Sequence, residues 1–421
     1  MEISVVIPTY NEAGNIGGLL VELRKVLAQI GGEFELLVID GHSTDRTREI
    51  AQESGARVLL QQGPGYAAAL HEGLDTAQGE YVVTMDADFS HSPDFIRTMW
   101  ENRQEAEVLI ASRFAPGGNF QQKGFRSFLS LVLNWVSVRI LDLPLRDISS
   151  GFRMYHRGTF QGLVLKSSNY DILEEIIIRI LCQGYKIKEV PLQYRTRKSG
   201  SSKARLVKFA ISYTKTITRM WRLRNSIACA DYDHRAFNSR IFLQRYWQRK
   251  RHQIIMEMIG ASTGAINILD AGCSASKIIQ DLPAATGLEI MINKLRFLRK
   301  TNNKLVNADI AKMPFKESSF DLVICSEVVE HLADDRAAWL EIKRVLKKDG
   351  VLIIGTPDYS SLVWRTLGFV YERFVPVAYG EEHVNHYTRK TLFAKLTDLG
   401  FKMAGFRYVA GGELIVKAVK E

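Results

Sequence analysis

One stretch of the chain decides the fold of its N-terminal half: residues 81–88 read YVVTMDAD. Aromatic, β-branched and apolar residues fill its first five positions, a composition typical of a buried β-strand. Two aspartates, Asp86 and Asp88, follow at once. The stretch therefore predicts a strand that delivers two carboxylates to one edge of a sheet, where open α/β sheets bind their ligands.

The sequence on both sides repeats this pattern of β-rich runs separated by helical stretches. The predicted strands are 3–7, 35–39, 57–60, 81–85 and 108–111. Two segments between them, 16–30 and 45–54, are predicted helices. This alternation favours an α/β layer with a mostly parallel sheet.

Asp86 and Asp88 are candidate metal ligands. They are separated by one residue at a predicted strand end, so both carboxylates can turn toward one ion. Mg²⁺ and Mn²⁺ favour carboxylate oxygens together with substrate phosphates. The alternative is that these aspartates only cap the next helix.

Length and composition limit the class of protein. At roughly 150 residues per domain, 421 residues predict two or three domains. The apolar fraction of 46% and the charged fraction of 24% exclude a disordered chain, a collagen-like fibre and a coiled-coil rod.

The net charge of +10 is unevenly distributed. Residues 1–107 hold 7 Lys and Arg against 18 Asp and Glu, whereas residues 108–230 hold 21 against 6. An acidic half beside a basic half suits a site that holds a metal and phosphates, although dispersed solvated faces remain an alternative.

The four cysteines lie far apart and form no CxxC pair, so we expect neither a disulfide framework nor a zinc site. The expected compartment is therefore a reducing cytoplasm. The strand-like start predicts no signal peptide. The longest uncharged stretch in the apolar middle has 12 residues, against about 20 for a bilayer, so no membrane span is expected.

Several further motifs accompany the two aspartates. They are VIPTYNE at 6–12, VID at 38–40, MDADFSH at 85–91, SRF at 112–114, SGFRMY at 150–155, EVP at 189–191 and Ser202-Lys203. As a set, in this order, they resemble the dolichol-phosphate mannosyltransferase branch of the family 2 glycosyltransferases over residues 1 to about 220.

The resemblance implies a GT-A-type nucleotide-sugar domain. It implies that Asp86 and Asp88 hold Mg²⁺ or Mn²⁺, with Ser90 near the same ion. The residues implied to line the nucleoside pocket are Pro8, Tyr10, Glu12 and Asp40. The residues implied to bind phosphate groups of the donor or acceptor are Arg126, Arg153, Arg197 and Lys203. The family usually has two adjacent aspartates followed by Gly-Ser, whereas this chain has Asp40-Gly41-His42-Ser43, which affects the base preference of the pocket.

The nature of the acceptor determines which further residues are needed. A polyprenyl phosphate is already anionic near neutral pH and attacks without a strong general base, whereas a hydroxyl acceptor needs one. Glu175 matches a family position and is a candidate for that base; a structural role is the alternative. Glu174 is interpreted as the polar side of a buried helix.

Residues 206–224 predict an amphipathic helix. Its apolar residues fall within an arc of roughly 120°, opposite the basic residues Lys208, Lys215, Arg219 and Arg222. Such a helix suits an anionic membrane surface, or it packs its apolar face on its own domain. Basic and aromatic residues alternate over 225–262, where a helical connector is favoured over a nucleic-acid site.

A second α/β pattern begins at residue 266. Its first predicted strand ends at Asp270-Ala271-Gly272, and Glu289 follows 19 residues after Asp270, the spacing of an acid that binds a ribose diol. Asp309, at another predicted strand end, suits an adenine amino group. Each of these acids can alternatively cap a helix.

This region resembles the class I S-adenosylmethionine-dependent methyltransferases over residues 264–421. The matching residues are ILDAGC at 268–273, Glu289, Asp309, FDLV at 320–323, EHL at 330–332, LKKDG at 346–350 and EHVNHY at 382–387. The resemblance implies a Rossmann-like domain that binds S-adenosylmethionine through Asp270, Gly272, Glu289 and Asp309. Ser274 and Ser276 replace family glycines, and a Cβ there obstructs close backbone approach. His331, His383 and His386 are candidate acceptor-site groups. A metal at His383 and His386 is disfavoured because no third ligand is evident.

The sequence thus predicts a glycosyltransferase domain over 1–225, a basic helical linker over 226–262 and a methyltransferase-like domain over 263–421. The leading hypothesis is a bifunctional enzyme. It transfers a hexose from a nucleotide sugar to polyprenyl or dolichyl phosphate with inversion, and it methylates a glycan, lipid or related acceptor. The alternative is a hydroxyl-acceptor glycosyltransferase for surface polysaccharide, with a non-catalytic C-terminal binding module. The expected location is the cytoplasmic face of a membrane, without a nucleic-acid partner.

Overall fold

A computed structural model of the chain describes residues 1–119, 125–193, 206–260, 266–302, 304–366 and 383–421. The chain divides into two compact units, Met1–Arg224 and Asn225–Glu421. Each unit is built around its own seven-stranded sheet. The predicted α/β class is confirmed for both.

The sheet of the first unit has seven strands in the order β3-β2-β1-β4-β6-β5-β7. Strands β1, β2, β3 and β4 run parallel, whereas β6 is antiparallel to both β4 and β5. The five predicted strands are present. The strands are β1 (Ile3–Thr9), β2 (Phe34–Asp40), β3 (Arg57–Leu60), β4 (Tyr81–Thr84), β5 (Val108–Ser112), β6 (Arg153–His156) and β7 (Ile187–Pro191).

Helices cover the faces of this sheet. The first helix buries Leu19, Leu20, Leu23 and Leu27 completely, at the spacing that places one helical face on a sheet. The helices are α1 (Ile16–Ile30), α2 (Thr47–Glu53), α3 (Gly65–Thr76), α4 (Phe95–Asn102), α5 (Phe125–Ile140), α6 (Ile172–Cys182) and α7 (Leu206–Arg224).

Helix α7 packs its apolar side on its own unit. Tyr213 and Met220 are buried, and the Tyr213 hydroxyl lies 2.8 Å from Oγ of Ser137 in α5. Arg219, which the sequence analysis placed on a solvated basic face, instead pairs with buried Glu175 of α6. The apolar face therefore packs on its own unit, as the alternative predicted, whereas Arg219 is paired and not merely solvated.

Strand register brings the carboxyl ends of β1, β2 and β4 together. Thr9 of β1 pairs with Asp40 of β2, and Val6 of β1 pairs with Thr84 of β4. The interior of these strands is buried on both sides, as expected for central parallel strands. The polar residues that follow them consequently lie along one edge.

The sheet of the second unit has the order β10-β9-β8-β11-β12-β14-β13. Strands β8 to β12 are parallel, and β14 is antiparallel to β12 and β13. The strands are β8 (Ile268–Ala271), β9 (Thr286–Glu289), β10 (Leu305–Asn307), β11 (Phe320–Ser326), β12 (Leu346–Pro357), β13 (Phe401–Val409) and β14 (Glu413–Lys420).

The segment predicted as a connector forms two helices of the second unit. Trp247, Ile254 and Ile255 are buried in one core cluster with Ile268 and Ile279. The helices of this unit are α8 (Tyr232–Phe237), α9 (Phe242–Ile259), α10 (Lys277–Asp281), α11 (Ile292–Leu298), α12 (Arg336–Val345) and α13 (Arg389–Asp398).

The cysteines differ from expectation. Cys273 and Cys325 are buried free thiols, whereas Cys182 and Cys229 are disulfide-bonded. The expectation that the cysteines form no disulfide is therefore wrong for these two residues. Within the described part of the chain, no helix is both long and apolar enough to span a bilayer.

Candidate functional sites

The loops after β1 and β2 are tied together by side-chain to main-chain bonds. Asn11, which has a positive φ of 55°, donates its amide to Oγ of Ser43 at 2.8 Å and accepts from the Thr44 amide at 2.8 Å. The amide of Glu12 donates to Oγ1 of Thr47 at 2.8 Å. These bonds hold the loop that carries Tyr10 and Glu12 against the loop that follows Asp40.

Asp40 is the most enclosed of those residues. Its side chain is fully buried, and Oδ2 accepts from the Ser43 amide at 2.9 Å. Oδ1 is also buried but has no hydrogen-bond partner among the described residues. A buried acceptor without a donor is costly, so this oxygen is where a ligand donor would be most favourable. Tyr10 is about half exposed, and Pro8 and Glu12 are partly buried beside it.

Asp86 and Asp88 follow β4 as predicted. Asp88 is buried, with Oδ1 accepting from the Ser90 amide at 3.0 Å, and Phe89 between them has a positive φ of 60°. Asp86 is partly buried. Two carboxylates in one turn leave most positions of an octahedral ion to other oxygens, such as those of a diphosphate.

The SGFRMY motif lies against the same edge. Gly151 accepts, through its carbonyl, a 2.7 Å hydrogen bond from Oγ1 of Thr84. A Cβ at Gly151 would lie 3.2 Å from the Tyr66 hydroxyl and 3.8 Å from Oδ1 of Asp86. Glycine therefore permits close approach of this loop to the two aspartates.

Tyr66 is a site residue that sequence reasoning missed. Its ring stacks on Tyr170 with centroids 4.6 Å apart. Surrounding protein and then the Asp86 carboxylate raise the pKa of Tyr66 well above its ordinary value. The phenol therefore stays protonated and can donate to an anion near Asp86; no motif around residue 66 signals this.

Arg153 lies in the interior. It is fully buried, with Nη1 donating to the Leu173 carbonyl at 2.7 Å and Nη2 to the Ile148 carbonyl at 2.6 Å. This placement does not support the prediction that Arg153 contacts phosphate, because both terminal nitrogens are occupied by the main chain. Arg197 and Lys203 lie outside the described residues, as does the side chain of Arg126.

Glu175 is held as a structural carboxylate. Its side chain is fully enclosed; Oε1 accepts from Nε of Arg179 at 2.8 Å, and Oε2 from Nη2 of Arg219 at 3.0 Å and from the amides of Lys166 and Ser167. Burial acts to raise its pKa, but the bonds from Ser167, Lys166 and Arg179 outweigh burial and lower the pKa. A carboxylate so stabilised in its ionised form is a poor proton acceptor.

Glu174 is not on a polar helix side, as the sequence analysis supposed, but is buried. Its Oε2 has no hydrogen-bond partner in the described part of the chain. Burial raises the pKa of Glu174 to about 8, so the group is mainly protonated at neutral pH. Neither glutamate is therefore suited to accept a proton from a hydroxyl.

The second unit contains a cavity of about 690 Å³ at the carboxyl ends of its strands. All four predicted cofactor residues line it: Asp270, Gly272, Glu289 and Asp309. Glu289 is buried, and its two oxygens accept from the amides of Ser274 and Met291, each at 2.9 Å.

Asp270 and Gly272 occupy the turn after β8. Burial, followed by the charge of Glu289, raises the pKa of Asp270 to about 7. Gly272 has φ of 78°, and a Cβ there would lie 2.4 Å from Val328. Glycine is required at this position by both conformation and space.

Ser274 takes part in a network inside the cavity. It has a positive φ of 48°, and its hydroxyl donates to Asp233 and accepts from Nζ of Lys294 at 2.6 Å. Ser276 instead caps α10, accepting from the Ile279 amide at 3.4 Å. Sequence reasoning missed Asp233 and Lys294, because neither lies near a recognised motif.

The three candidate acceptor histidines line the same cavity. The rings of His331 and His383 have centroids 4.6 Å apart, and Nδ1 of His383 lies 2.7 Å from the Tyr359 hydroxyl. His386 stacks on Tyr359 at 4.2 Å. Burial, then His331 and His386, lower the pKa of His383 to about 4, so its imidazole is neutral.

Two family models match the chain. Residues 4–163 match glycosyl transferase family 2, and residues 269–354 match a methyltransferase domain. Each match falls within one of the two units.

Curated relatives match the N-terminal part. A dolichol-phosphate mannosyltransferase of Pyrococcus furiosus is 32% identical over 54% of this chain and 66% of its own length. Glycosyltransferase AglJ of Haloferax volcanii is 31% identical over 47% of this chain and 65% of its own length. A dolichyl-phosphate hexose transferase of the same organism is 28% identical over 48% of this chain and 86% of its own length. The chain thus spans just under two thirds of the first two relatives. From its family matches and its two sheets, the chain joins a family 2 glycosyltransferase domain, with relatives among the dolichol-phosphate mannosyltransferases, to a methyltransferase domain.

Proposed function

We propose that the first unit transfers a hexose of the mannose or glucose type from a nucleotide sugar to a polyprenyl phosphate such as dolichyl phosphate, with inversion at the sugar carbon. The relatives named above support this acceptor class. The observation that carries the proposal is the pairing of the Glu175 carboxylate with Arg179 and Arg219. Because this carboxylate is not available as a base, an acceptor that is already ionised, such as a phosphate, is favoured.

The donor would bind along the carboxyl edge of the sheet. Pro8, Tyr10 and Glu12 would line the nucleoside, and the unpartnered Oδ1 of Asp40 would accept a hydrogen bond from its base or ribose. Asp86 and Asp88 would hold Mg²⁺ or Mn²⁺, which neutralises the diphosphate charge when the ion is bound.

The acceptor phosphate would be bound by the basic residues of the second half of the unit. Arg126, Arg197 and Lys203 retain this proposed role. Arg153 is instead a positioning residue, because its bonds to Ile148 and Leu173 brace the loop that carries Gly151 beside Asp86.

A membrane-surface location on the cytoplasmic side is part of this proposal, because a polyprenyl chain is embedded in lipid. The solvent side of α7 exposes Ile211 together with Lys215 and Arg222. An exposed apolar side chain flanked by cations suits the interface of an anionic bilayer.

The second unit is proposed to methylate a glycan, lipid or related acceptor. Its cavity fits S-adenosylmethionine: Glu289 and Asp309 would face the ribose and adenine, beside the close turn at Gly272. The cofactor supplies an electrophilic methyl group. His331 and His383 line the same cavity, on the side where the acceptor would bind.

One observation favours the alternative of a binding module without methyl transfer. Ser274, Asp233 and Lys294 bond one another within the cavity, next to the cofactor turn. Calorimetry with S-adenosylmethionine discriminates the two: binding that Glu289→Ala abolishes supports the enzyme, and absence of binding supports the module.

The glycosyltransferase proposal is tested with a panel of radiolabelled nucleotide sugars, polyprenyl phosphate and Mn²⁺ or Mg²⁺. We expect one donor to label the lipid, and we expect Asp88→Ala to lose that activity. The proposal fails if no donor labels the lipid, or if Asp88→Ala is fully active.

A further inference from the structure

The second unit contains a mostly buried group of side chains with potential metal-ligating atoms, to which the proposed function assigns no chemical role. One donor atom from each of Glu330, His331 and His383 lies within 4.8 Å of the other two. In the sequence, His383 and His386 have no evident third ligand. The fold instead brings His331 and Glu330 to His383 and turns His386 onto Tyr359.

Glu330 is the residue that distinguishes this group from ordinary packing. Its side chain is fully buried, and neither carboxylate oxygen has a hydrogen-bond partner within the described segments. A buried carboxylate without a donor is unfavourable unless a cation or another partner compensates it. Two imidazoles beside it provide nitrogen ligands of the type that binds transition metals.

Carboxyl groups outnumber cationic side chains around this group. Arg251 contacts Glu327 at 3.2 Å and Glu413 at 2.6 Å, so its single guanidinium already serves two carboxylates. Glu413 also accepts from Nε1 of Trp247 at 2.6 Å. Glu330 adds a third carboxyl group to this region, and a divalent cation would stabilise its ionised form.

The main chain holds the group together. The amides of Val384 and Asn385 donate to the Glu330 carbonyl at 2.8 Å and 2.9 Å, which fixes the segment of His383 against the turn of Glu330 and His331. The contact of His383 Nδ1 with the Tyr359 hydroxyl orients the ring, as a hydrogen bond to the other ring nitrogen orients a histidine ligand. Ligand atoms around an ion with bonds of about 2.0–2.2 Å lie roughly 3–3.5 Å apart, so side-chain movements of about 1 Å would close the site.

We propose that Glu330, His331 and His383 form a binding site for one divalent transition-metal ion, of the zinc class, in the cavity of the second unit. Two imidazoles and one carboxylate leave an open position toward the cavity, which His331 and His383 line. The ligand class for that position is an oxygen group of the acceptor, such as a hydroxyl, whose pKa the ion lowers. This site is distinct from the carboxylate pair of the first unit and does not depend on the proposed glycosyl transfer.

The test uses the full chain carrying Asp88→Asn, so that the first unit does not contribute a metal site. Chelator-stripped protein is titrated with Co²⁺, followed by visible absorption, and with Zn²⁺ in competition with a chromogenic chelator. We expect one ion per chain. Glu330→Gln combined with His383→Ala should weaken Zn²⁺ binding by about 100-fold or more and remove the cobalt absorption.

His252→Ala is the matched control, because His252 lines the same cavity but bonds Asp281 at 2.9 Å outside the group; its Zn²⁺ affinity should be unchanged. Circular dichroism verifies that each variant is folded, and His331→Gln replaces the double variant if that protein does not fold. Absence of stoichiometric zinc and of a cobalt band in the parent protein overturns the proposal. So does a folded ligand variant that binds Zn²⁺ as tightly as the parent.

Discussion

Oε2 of Glu175 lies 3.0 Å from Nη2 of Arg219, and this ion pair joins α6 to α7. Arg179 holds the other carboxylate oxygen at 2.8 Å. The position that a hydroxyl-acceptor mechanism would assign to a base is therefore occupied by a structural ion pair, which favours an acceptor that is already charged.

Glu175→Gln distinguishes a structural ion pair from a general base. We expect the variant to be less stable by about 1–3 kcal/mol, because it replaces an enclosed ion pair whose Arg219 side is partly exposed. The rate of glycosyl transfer, measured on folded protein below the melting range, should fall by less than about tenfold. A loss of about 10² to 10⁴-fold at unchanged stability is what loss of a general base would cause, and it would contradict our assignment.

The raised pKa of Glu174 predicts that the free energy of unfolding falls as pH rises, the opposite of the effect of an ion-paired acid. Its folded-state pKa of about 8 lies above the unfolded value, so the folded protein binds the extra proton and stability falls as pH rises between about 4.5 and 8. Glu174→Gln removes this effect. We expect the variant to be more stable than the parent at pH 7, by up to about 3 kcal/mol, and similar near pH 4.5.

Urea denaturation at the two pH values measures this difference. The conservative exchange keeps the volume of the side chain, so packing is a minor factor. An equal change in stability at both pH values would show that folding does not raise the pKa of Glu174.

Asp40→Ala tests the donor site. The substitution removes the buried Oδ1, and we expect the KM for the nucleotide sugar to rise about tenfold, the effect of one hydrogen bond of roughly 1.4 kcal/mol to a charged group. Asp94→Ala, at an exposed position on the same unit, is the control. An unchanged KM in a folded Asp40→Ala protein would remove Asp40 from the pocket.

Ser274→Gly tests whether the serine limits cofactor binding. The substitution relieves a positive φ and releases Lys294 and Asp233 from the shared hydroxyl, so we expect S-adenosylmethionine to bind several-fold more tightly by calorimetry. Ser318→Gly is a matched control, since Ser318 also has a positive φ, 54°, but does not line the cavity. Weaker binding in Ser274→Gly would show that the hydroxyl contributes to the site.

Local patterns predict the strands that carry the chemistry. The run before Asp86 and the glycine turn at Gly272 are encoded by consecutive residues, and both lie at strand ends as expected. Strand β6 is not predictable in this way, because it starts at a charged residue, Arg153. The fold buries this side chain, and carbonyls of Ile148 and Leu173 accept its hydrogen bonds. The SGFRMY motif suggests that Arg153 contacts phosphate, whereas its burial favours a positioning role.

The contacts missed by the sequence analysis join residues far apart along the chain. The group of Glu330, His331 and His383 forms because the segment of His383, 52 residues after His331, returns to the turn that follows β11. Asp233 and Lys294 reach Ser274 across 41 and 20 residues. No periodicity or motif spacing reports such long-range contacts.

The central claim, a phosphate acceptor at a base-free site, is tested most directly by a matched pair of acceptors. Polyprenyl phosphate and the corresponding polyprenol are offered to the full chain with the same labelled nucleotide sugar and Mn²⁺, and transfer is measured as label in the lipid phase. We predict labelled lipid from the phosphate and none above background from the alcohol. Equal or faster labelling of the alcohol would contradict the account.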